Sequence, residues 1–426
     1  MKVLIVSPYL PYAEARHGTA VFMYGLLRHL CTRHEVTLLS FCDRTEEPHA
    51  ASLRALPLTL HLVPRARGRQ ASRAGTAWLA VDRLIRYCRS VLFWRPYEVE
   101  KYREPGMRTM VSSLTATDRY DIVQFEFAFM APYAAAVQHG RTLLHEHDVT
   151  YRPVYRRYHR SGIGLTKLLA LFEWCRWARY EPAAGRSCDG ILTVTEQDRQ
   201  LMHVLTRKQE VYYLPRGVDA PAAIIPAARR TPHTILFVGT FNHQPNADAV
   251  QWMLEEILPR ILERYPDTVT HIVGSNPSDA VRERARAVRG TTVHGDVDSV
   301  DDFLDSCSVF LAPLRFGGGV KVKIIHALAR GIPVVTTKTG IEGIGIPGLP
   351  VALLGRSAEE LAGQTGRIFG DSNLADRLGR NGHSLARELY SWQAVTDRLG
   401  TIYESLRNEG GPLQPGRNTT EKKFTH

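Results

Sequence analysis

Short apolar runs alternate with segments of helical periodicity along this chain, and the alternation restarts once. In the first half, KVLIVS, EVTLLSF and YDIVQFEF are separated by helical patterns, and the pattern resumes at TILFVGT after the Pro- and Ala-rich segment LPRGVDAPAAIIPAARRTP. Strands that alternate with crossover helices are typical of a parallel sheet covered by helices. Because 426 residues exceed what one core usually holds, we predict two doubly wound α/β domains joined by this segment.

The restart fixes the predicted domain boundaries. We expect a first domain over residues 1–214, a second over 215–390, a last helix over 391–408 and a disordered tail over 409–426. In open parallel sheets, ligands bind outside the carboxyl ends of the strands, which predicts a ligand site in a cleft between two facing domains. The first strand is not followed by a GxGxxG turn, which argues against a dinucleotide-dependent dehydrogenase.

The cysteines and the hydropathy indicate the compartment. Six cysteines occur without a CxxC pair or a metal-ligand spacing, so we predict reduced, buried thiols in a cytoplasmic protein. No apolar run approaches the ~18 residues that a membrane span requires.

Within the first domain, the aromatic and Arg-rich segment Val154–Tyr180 is predicted to form one long helical stretch.

Positive charge is concentrated in the first half of the chain. Residues 1–215 carry 30 Lys and Arg against 20 Asp and Glu, which accounts for +10 of the total of +11. Two interpretations remain open: a solvated basic face, or attraction to anionic lipid at the inner face of the membrane or to an anionic acceptor. Nucleic acid is not expected, because the chain has none of the compact recognition motifs.

The segment RFGGGVKVKIIHALARGIPVV, residues 315–335, carries the strongest functional signal. An apolar strand precedes it, and Gly331 and Pro333 mark the end of the helix that it contains. The three glycines therefore form a strand-to-helix turn, in which backbone N–H groups and a helix N-terminus approach an anion. At ~100° per residue, Lys323 and His326 share one face of this helix. A phosphate-bearing ligand fits that face, although the P-loop signature GxxxxGK[ST] is absent.

The order strand, RxGGGxKxK, apolar helix and AxGxPVV resembles the nucleotide-sugar site of the GT-B glycosyltransferases, in particular the retaining enzymes of glycosyltransferase family 4. FVGTFNHQPN, HGDVDS and YSW before the last helix agree with this resemblance, which covers the chain except for its tail. It implies two Rossmann-like domains facing each other across a cleft, with the last helix crossing back to the first domain. It also implies transfer of a sugar from a nucleotide-diphosphate donor to an acceptor hydroxyl with retention at the anomeric carbon.

The same resemblance assigns residues by position. His147, Arg315 and Lys323 are the implied catalytic residues, and Glu126 and His17 lie on the acceptor side. The alternative interpretation of His147 is a histidine that packs in the core and has no part in catalysis. The implied donor-binding residues are Gly18, Gly239, Gly274, Gly295, Val297, Gly317, Gly318, Gly319, Lys321, Lys323 and His326.

Three features depart from the family's pattern. Gly318 and His326 stand where many members carry two glutamates, His17 stands where the N-terminal loop has its first glycine, and Arg216 replaces an asparagine. An imidazole can still accept a hydrogen bond from a ribose hydroxyl, and packing of His326 inside the helix layer is the alternative. These departures keep two other functions open, a GT-B sugar-nucleotide epimerase and a nucleotide-sugar-binding regulator without activity.

The expected partners follow from the implied reaction. A nucleotide-sugar donor is the substrate, and the acceptor is lipid-linked, a saccharide or a small molecule. Neither a metal nor an organic cofactor is expected, because cations and backbone amides of the donor site would stabilise the leaving diphosphate.

Overall fold

The structure is a computed structural model that describes residues 1–12, 15, 18–65, 73–160, 162, 164–295, 297, 299–345 and 348–408. The predicted disordered tail, residues 409–426, and His17 lie outside the described residues. The chain forms two compact units. Unit 1 contains Met1–Leu214 and the chain from Thr396 onward, and unit 2 contains Pro215–Val395.

Unit 1 is built on a seven-stranded parallel sheet with the order β3-β2-β1-β4-β5-β6-β7. Its strands are β1 (Lys2–Ser7), β2 (Glu35–Cys42), β3 (Leu58–Pro64), β4 (Ile122–Glu126), β5 (Arg141–Glu146), β6 (Gly190–Thr193) and β7 (Val211–Tyr213). Strands β1, β2, β4, β5 and β6 are short, largely buried runs, as a parallel sheet covered on both faces requires, whereas the edge strands β3 and β7 are mostly only partly buried. The strand order reverses between β1 and β4, which makes their carboxyl ends the expected ligand position.

Helices cover this sheet. They are α1 (Gly18–Leu30), α2 (Ala50–Arg54), α3 (Arg73–Leu92), α4 (Tyr97–Lys101), α5 (Pro105–Thr117), α6 (Tyr151–Arg160), α7 (Leu165–Ser187) and α8 (Glu196–Thr206). The prediction of one helical stretch over Val154–Tyr180 was wrong, because the chain breaks between α6 and α7, where the sequence SGIG carries two glycines. α6 and α7 therefore pack against each other as a helical hairpin.

Unit 2 repeats the design with a six-stranded parallel sheet, ordered β10-β9-β8-β11-β12-β13. Its strands are β8 (Thr234–Val238), β9 (Val269–Gly274), β10 (Thr291–Gly295), β11 (Val309–Ala312), β12 (Val334–Thr336) and β13 (Ala352–Leu354). Its helices are α9 (Gln244–Trp252), α10 (Leu258–Arg264), α11 (Asp279–Ala287), α12 (Asp301–Ser306), α13 (Val322–Ala329), α14 (Ala358–Gly370) and α15 (Ser372–Leu385). The strand order reverses between β8 and β11.

The last helix, α16 (Trp392–Asn408), begins in unit 2, and from Thr396 onward its residues belong to unit 1. Its Tyr403 side chain is fully buried, and the hydroxyl group donates a hydrogen bond to Gln124 Oε1 of β4 at 2.7 Å. Both units thus have the doubly wound α/β architecture that the alternating pattern predicts.

Two further sequence expectations can be compared with the structure. Among the described residues, no helix combines the length and the apolar character needed to cross a membrane. All six cysteines are free, but the prediction that they are buried was wrong for Cys88, which is exposed, and for Cys175, which is half-buried. Both lie on helices of unit 1 that the sequence pattern did not resolve correctly.

Candidate functional site

The glycine turn of unit 2 connects the end of β11 to α13, as predicted. Gly317 has φ 128° and Gly319 has φ 70°. Residues other than glycine adopt such positive φ values only with strain. A Cβ atom at Gly317 would lie 3.4 Å from Cγ of Pro245, in the first turn of α9. The turn therefore brings the N-terminal ends of α9 and α13 close together at the point where the strand order reverses.

Lys323 lies in the first turn of α13 and points toward the loop that follows β8. Its Nζ atom donates a hydrogen bond to Asn246 Oδ1 at 2.5 Å and lies 4.5 Å from the centre of the Phe237 ring. Asn246 is held in turn by the carbonyl oxygen of Thr240 at 2.8 Å. A Cβ atom at Gly239 would lie 2.9 Å from Lys323 Nζ, so the glycine leaves room for the ammonium group.

Basic groups lie close together around Lys323. Burial, together with repulsion from Lys321, lowers the pKa of Lys323 from 10.5 to about 7. Lys321 is buried, and its Nζ donates to the carbonyl oxygen of Gly319 at 2.6 Å. The pKa of His243, at the N-cap of α9, is lowered by burial and by both lysines. Three groups that bear or can take up positive charge thus surround two helix N-termini, where an anion is favoured.

Sequence reasoning missed His243 and Asn246. Both lie in FVGTFNHQPN, which was recognised as a motif without a role for its polar residues. The signal was present: a histidine directly before Gln-Pro-Asn fits the start of a helix with proline in its first turn. What the motif could not reveal is that Asn246 meets a lysine 77 residues away in the chain.

Arg315 has a different environment from the one expected. Its guanidinium forms a two-point ion pair with Asp248 of α9, at 2.5 Å and 2.9 Å, and lies 5.0 Å from the ring of Trp252. The hydrogen bonds that Arg315 donates to Asp248 raise the pKa of Arg315. The structure thus brings Lys321 and Lys323 together at the glycine turn and holds Arg315 against α9. Its contact with a diphosphate stays a prediction.

His326 is half-buried on α13. Burial lowers its pKa, while Asp219 acts in the opposite direction and Arg330 adds to the lowering. Its charged neighbours therefore differ from those of Lys323. A neutral imidazole follows at neutral pH, which leaves a nitrogen able to accept a hydrogen bond. Its role at the ribose stays a prediction.

Glycines at three neighbouring strand ends form the remaining wall of this region. Gly239 follows β8, and Gly274 and Gly295 are register partners at the ends of β9 and β10. A Cβ atom at Gly274 would lie 1.8 Å from the carbonyl oxygen of Gly239, so only glycine fits there. Beside them, His294 Nε2 lies 3.1 Å from His271 Nδ1. Val297 is half-buried just beyond β10, and contact of this wall with a nucleobase stays a prediction.

Unit 1 places Glu126 and His147 together, at the carboxyl ends of β4 and β5. His147 Nε2 lies 2.6 Å from Glu126 Oε2, and His145 Nδ1 lies 2.9 Å from the same oxygen. Gln124 Nε2 donates to Glu126 Oε1 at 2.6 Å. All four side chains are completely buried. Burial acts to raise the pKa of Glu126, but the two histidines outweigh burial and hold it well below its usual value.

This carboxylate–imidazole cluster, Glu126 with His145 and His147, has the ligand types of a metal site. One ligand atom from each residue lies within 4.8 Å of the other two. The 2.6 Å contact between His147 and Glu126 is a hydrogen-bond distance, and a carboxylate that accepts from an imidazole is stabilised without an ion.

Gly18, predicted to lie near the donor phosphates, is the exposed first residue of α1, with no atom within 4 Å of a Cβ placed there.

A second pair of buried acids lies beside the cluster. Burial, with repulsion from Glu181, raises the pKa of Glu146 well above its usual value. Burial also raises the pKa of Glu181 to about 7, although the backbone N–H groups of Tyr151 and Thr150 donate to it. The sequence HEHD thus supplies Glu146 of this pair, whereas α7 supplies Glu181, whose carboxylate accepts from backbone N–H groups at the start of α6.

Two solved structures show a fold similar to that of this chain over nearly its whole length. Sucrose-phosphate synthase of Thermosynechococcus elongatus aligns over 96% of this chain and all of its own, with a TM-score of 0.65 and 16% identity. HepE of Anabaena, in complex with UDP, aligns over 95% of this chain and all of its own, with a TM-score of 0.64 and 10% identity. At such identities these likenesses show the fold, which is GT-B.

Sequence relatives are more specific. Phosphatidyl-myo-inositol mannosyltransferase of Mycobacterium tuberculosis is 27% identical over 285 residues, which cover 63% of this chain and 71% of that protein. MMP alpha-(1->4)-mannosyltransferase of Mycolicibacterium hassiacum is 24% identical over 243 residues, covering 54% and 58%. The family model for glycosyltransferase family 4 matches residues 16–221, and the model for group 1 glycosyl transferases matches residues 232–371. The chain, matched in both halves and folded as GT-B, belongs to the family 4 and group 1 glycosyltransferases.

Proposed function

We propose that this glycosyltransferase moves a hexose from a nucleotide-diphosphate donor to an acceptor hydroxyl, with retention of the anomeric configuration. The acceptor that we propose is a saccharide or a lipid-linked hydroxyl compound. The phosphatidylinositol mannosyltransferase and the saccharide mannosyltransferase among its relatives support these two classes.

One observation carries the proposal: Lys321 and Lys323 lie together beside the glycine turn and the N-terminal ends of α9 and α13, where burial and repulsion from Lys321 lower the pKa of Lys323. Two neighbouring ammonium groups in a partly buried pocket repel each other, and each loses hydration. A diphosphate would remove both penalties and would also meet the N-terminal ends of α9 and α13. Backbone N–H groups and lysines that are fixed before the reaction stabilise the charge that develops on the leaving diphosphate.

Retention is proposed from the resemblance to the retaining enzymes of family 4, and the glycine turn (the donor turn, residues 315–323) bears on how it would be achieved. Residues 315–323 contain no Asp or Glu, so the turn offers no carboxylate nucleophile. The acceptor oxygen would attack the anomeric carbon from the side of the leaving group as the bond from carbon to phosphate oxygen breaks. The acceptor proton would pass to the departing diphosphate. Lys323 and Lys321 would bind that diphosphate, and no metal would be required.

Donor identity is tested by thermal stabilisation. UDP-, GDP- and dTDP-sugars are each added to the protein, because a ligand that binds only the folded state raises the apparent stability by mass action. We expect one class to raise the Tm and the Lys323→Ala variant to lose that shift. Lys338→Ala, at an exposed lysine of the same unit, is the matched control. No shift with any nucleotide sugar would contradict the proposal.

Product analysis separates transfer from the two alternatives. Incubation with the stabilising donor should release nucleotide diphosphate slowly, and faster when an acceptor is present. The anomeric configuration of the product, read by NMR coupling constants, tests retention. Release of a free epimer would identify a sugar-nucleotide epimerase, and binding without any turnover would identify a regulator.

A further inference from the structure

Helix α3 turns its polar side toward the protein. Asp82, Arg86 and Ser90 follow each other at four-residue spacing on one face, and Ser90 is completely buried. Arg86 donates to Asp82 Oδ2 at 2.8 Å and to Glu104 Oε1 at 2.7 Å. Helices on a protein surface normally bury an apolar stripe and expose a polar one, so α3 has the opposite orientation.

The other side of α3 is apolar and exposed. Leu84, Ile85 and Leu92 have exposures of 61%, 52% and 78%, and Val81 and Cys88 complete a stripe at spacings of three and four residues. Such a spacing places all five side chains within one arc of the helix. An exposed row of this length needs a partner, because isolated apolar residues on a surface are ordinary but a continuous stripe is not.

A second exposed stripe starts on α7 and continues to the end of α3. Leu165, Leu168 and Leu169 have exposures of 71%, 64% and 50%. The same stripe continues to Phe172, whose ring lies 4.6 Å from the ring of Trp94, directly after α3. Arg176, one turn further along α7, donates to Ser90 Oγ at 2.5 Å. Beyond this junction both stripes are uncovered by described residues, and we refer to Leu84, Ile85, Leu92, Leu165, Leu168 and Leu169 as the apolar face.

Positive charge surrounds the apolar face. Residues 73–92 contain four arginines and one acid, and residues 151–179 contain seven basic residues and one acid. Arg83 and Arg89 are exposed on α3, and Arg157 is exposed on α6. The aromatic side chains of Phe93 and Trp94, with exposures of 51% and 41%, lie at the end of the stripe. Aliphatic residues flanked by arginines and aromatic rings are the composition of helices that lie in a lipid interface.

We propose that the apolar face docks on an anionic lipid bilayer. The leucine and isoleucine side chains enter the boundary between headgroups and acyl chains, while the arginines meet lipid phosphates. Charge decides against a second copy of the chain, since two such faces would bring arginines against arginines. This inference goes beyond sugar transfer, because it concerns where the protein works and holds for any donor.

Vesicle flotation of the whole protein tests the proposal. The wild type should float with vesicles of phosphatidylcholine and phosphatidylglycerol, bind pure phosphatidylcholine less, and lose part of its binding in high salt. The double variant Leu84→Glu/Leu168→Glu should reduce the bound fraction at least about tenfold, because two carboxylates would enter the apolar boundary. Val204→Glu places the same charge on an isolated residue of α8 that is 70% exposed, and it should bind as the wild type does.

Three results would overturn the proposal. Unchanged flotation of the double variant would remove the apolar face from the contact, and equal binding to both vesicle types would remove the arginines. A wild-type dimer in solution that the double variant splits, without vesicle binding, would assign the face to a second copy. The thermal shift with the donor nucleotide, measured on the same variants, shows that the fold is intact and separates a failure here from a failure of the proposed transfer reaction.

Discussion

The donor turn of unit 2 and the carboxylate–imidazole cluster of unit 1 both lie at the carboxyl ends of parallel strands, yet they treat charge in opposite ways. At the donor turn, Lys323 has an amide partner and a second lysine nearby. In the cluster, Glu126 accepts from the His147 imidazole and the Gln124 amide, and His145 Nδ1 lies 2.9 Å from the same oxygen as His147 Nε2. Both groups have a lowered pKa, but for a base this means that the charged form is penalised, and for an acid that it is favoured.

This difference indicates which site awaits a ligand. The cluster is completely buried, and Glu126 already accepts from His147 and Gln124, so an added ion would have to displace these contacts. The donor turn keeps like charges together beside helix N-termini, an arrangement that costs stability until an anion binds. Binding sites are often built in this way, and stability is reduced where function requires unpaired groups.

The largest expected effect removes the cation of the donor turn. Lys323→Ala should lower kcat/KM by about 2–4 kcal/mol of transition-state stabilisation, because the leaving diphosphate loses a charge-assisted contact. Steady-state kinetics with the donor measure the loss, and Lys338→Ala is the control. A rate near that of the wild type would show that Lys323 does not bind the leaving diphosphate. The contrast in function between the donor turn and the cluster would then not hold.

The matching change in unit 1 should act on stability. Glu126→Gln leaves two buried imidazoles without a carboxylate, and the free energy of unfolding should fall by about 1–3 kcal/mol. Because the folded pKa of Glu126 is lowered, its contribution is present above the unfolded pKa and is lost as the pH falls through the folded pKa. Urea unfolding should therefore show a constant difference from pH 8 to 5 that shrinks below about pH 4.

Exposed Glu47 provides the control for that experiment, since Glu47→Gln alters a carboxylate of the same unit without burial. A Glu126→Gln variant as stable as the wild type would show that the cluster does not depend on its charge. The charge of the cluster would then not stabilise the fold, and the comparison with the donor turn would no longer hold.

His326 tests how far the donor site extends along α13. His326→Leu should weaken donor binding by about 1–3 kcal/mol, and His326→Glu should preserve or strengthen it, because a carboxylate also accepts from ribose hydroxyls. Donor affinity should also fall at acidic pH as the imidazole becomes protonated, at a pH below its usual range. Isothermal titration measures both. If His326 instead packs in the helix layer, the leucine variant would bind donor normally and melt at the same temperature or higher.

A smaller effect distinguishes a functional lysine from a structural one. Lys323→Met should raise the free energy of unfolding of the ligand-free protein by about 1–2 kcal/mol at pH 6, because the buried charge is removed. The unfolded pKa lies near 10.5 and the folded pKa near 7, so the unfolded chain binds more protons between these values and wild-type stability rises with pH. The gain from methionine should thus shrink by pH 9.5. A destabilised variant at pH 6 would contradict the strained-site interpretation.

The smallest expected effect is that of metal removal. Treatment with EDTA should leave transfer unchanged, because lysines and backbone N–H groups bind the diphosphate in the proposed reaction. Loss of activity that Zn²⁺ or Mn²⁺ restores would instead assign a metal to Glu126, His145 and His147, whose ligand types suit such ions. The cluster would then be the site that awaits a ligand.

Local sequence determined the backbone of this protein. Hydrophobic periodicity located most strands, and the glycines at 317 and 319 marked the turn, because strand alternation and positive φ depend on a residue and its near neighbours. Spacing alone does not tell which side of a helix faces the protein: the apolar residues of α3 recur at helical spacing, yet they lie on its exposed side.

Tertiary structure alone decided the partners of the charged side chains. Lys323 meets Asn246 across 77 residues, Gln124 meets Tyr403 across 279, and Arg315 is held by Asp248. Periodicity predicted which face of α13 carries Lys323. The pKa of a buried group depends on the atoms packed around it, however, and those atoms come from distant segments of the chain. The sequence determined where a phosphate site could form, and packing decided which cations lie close together there.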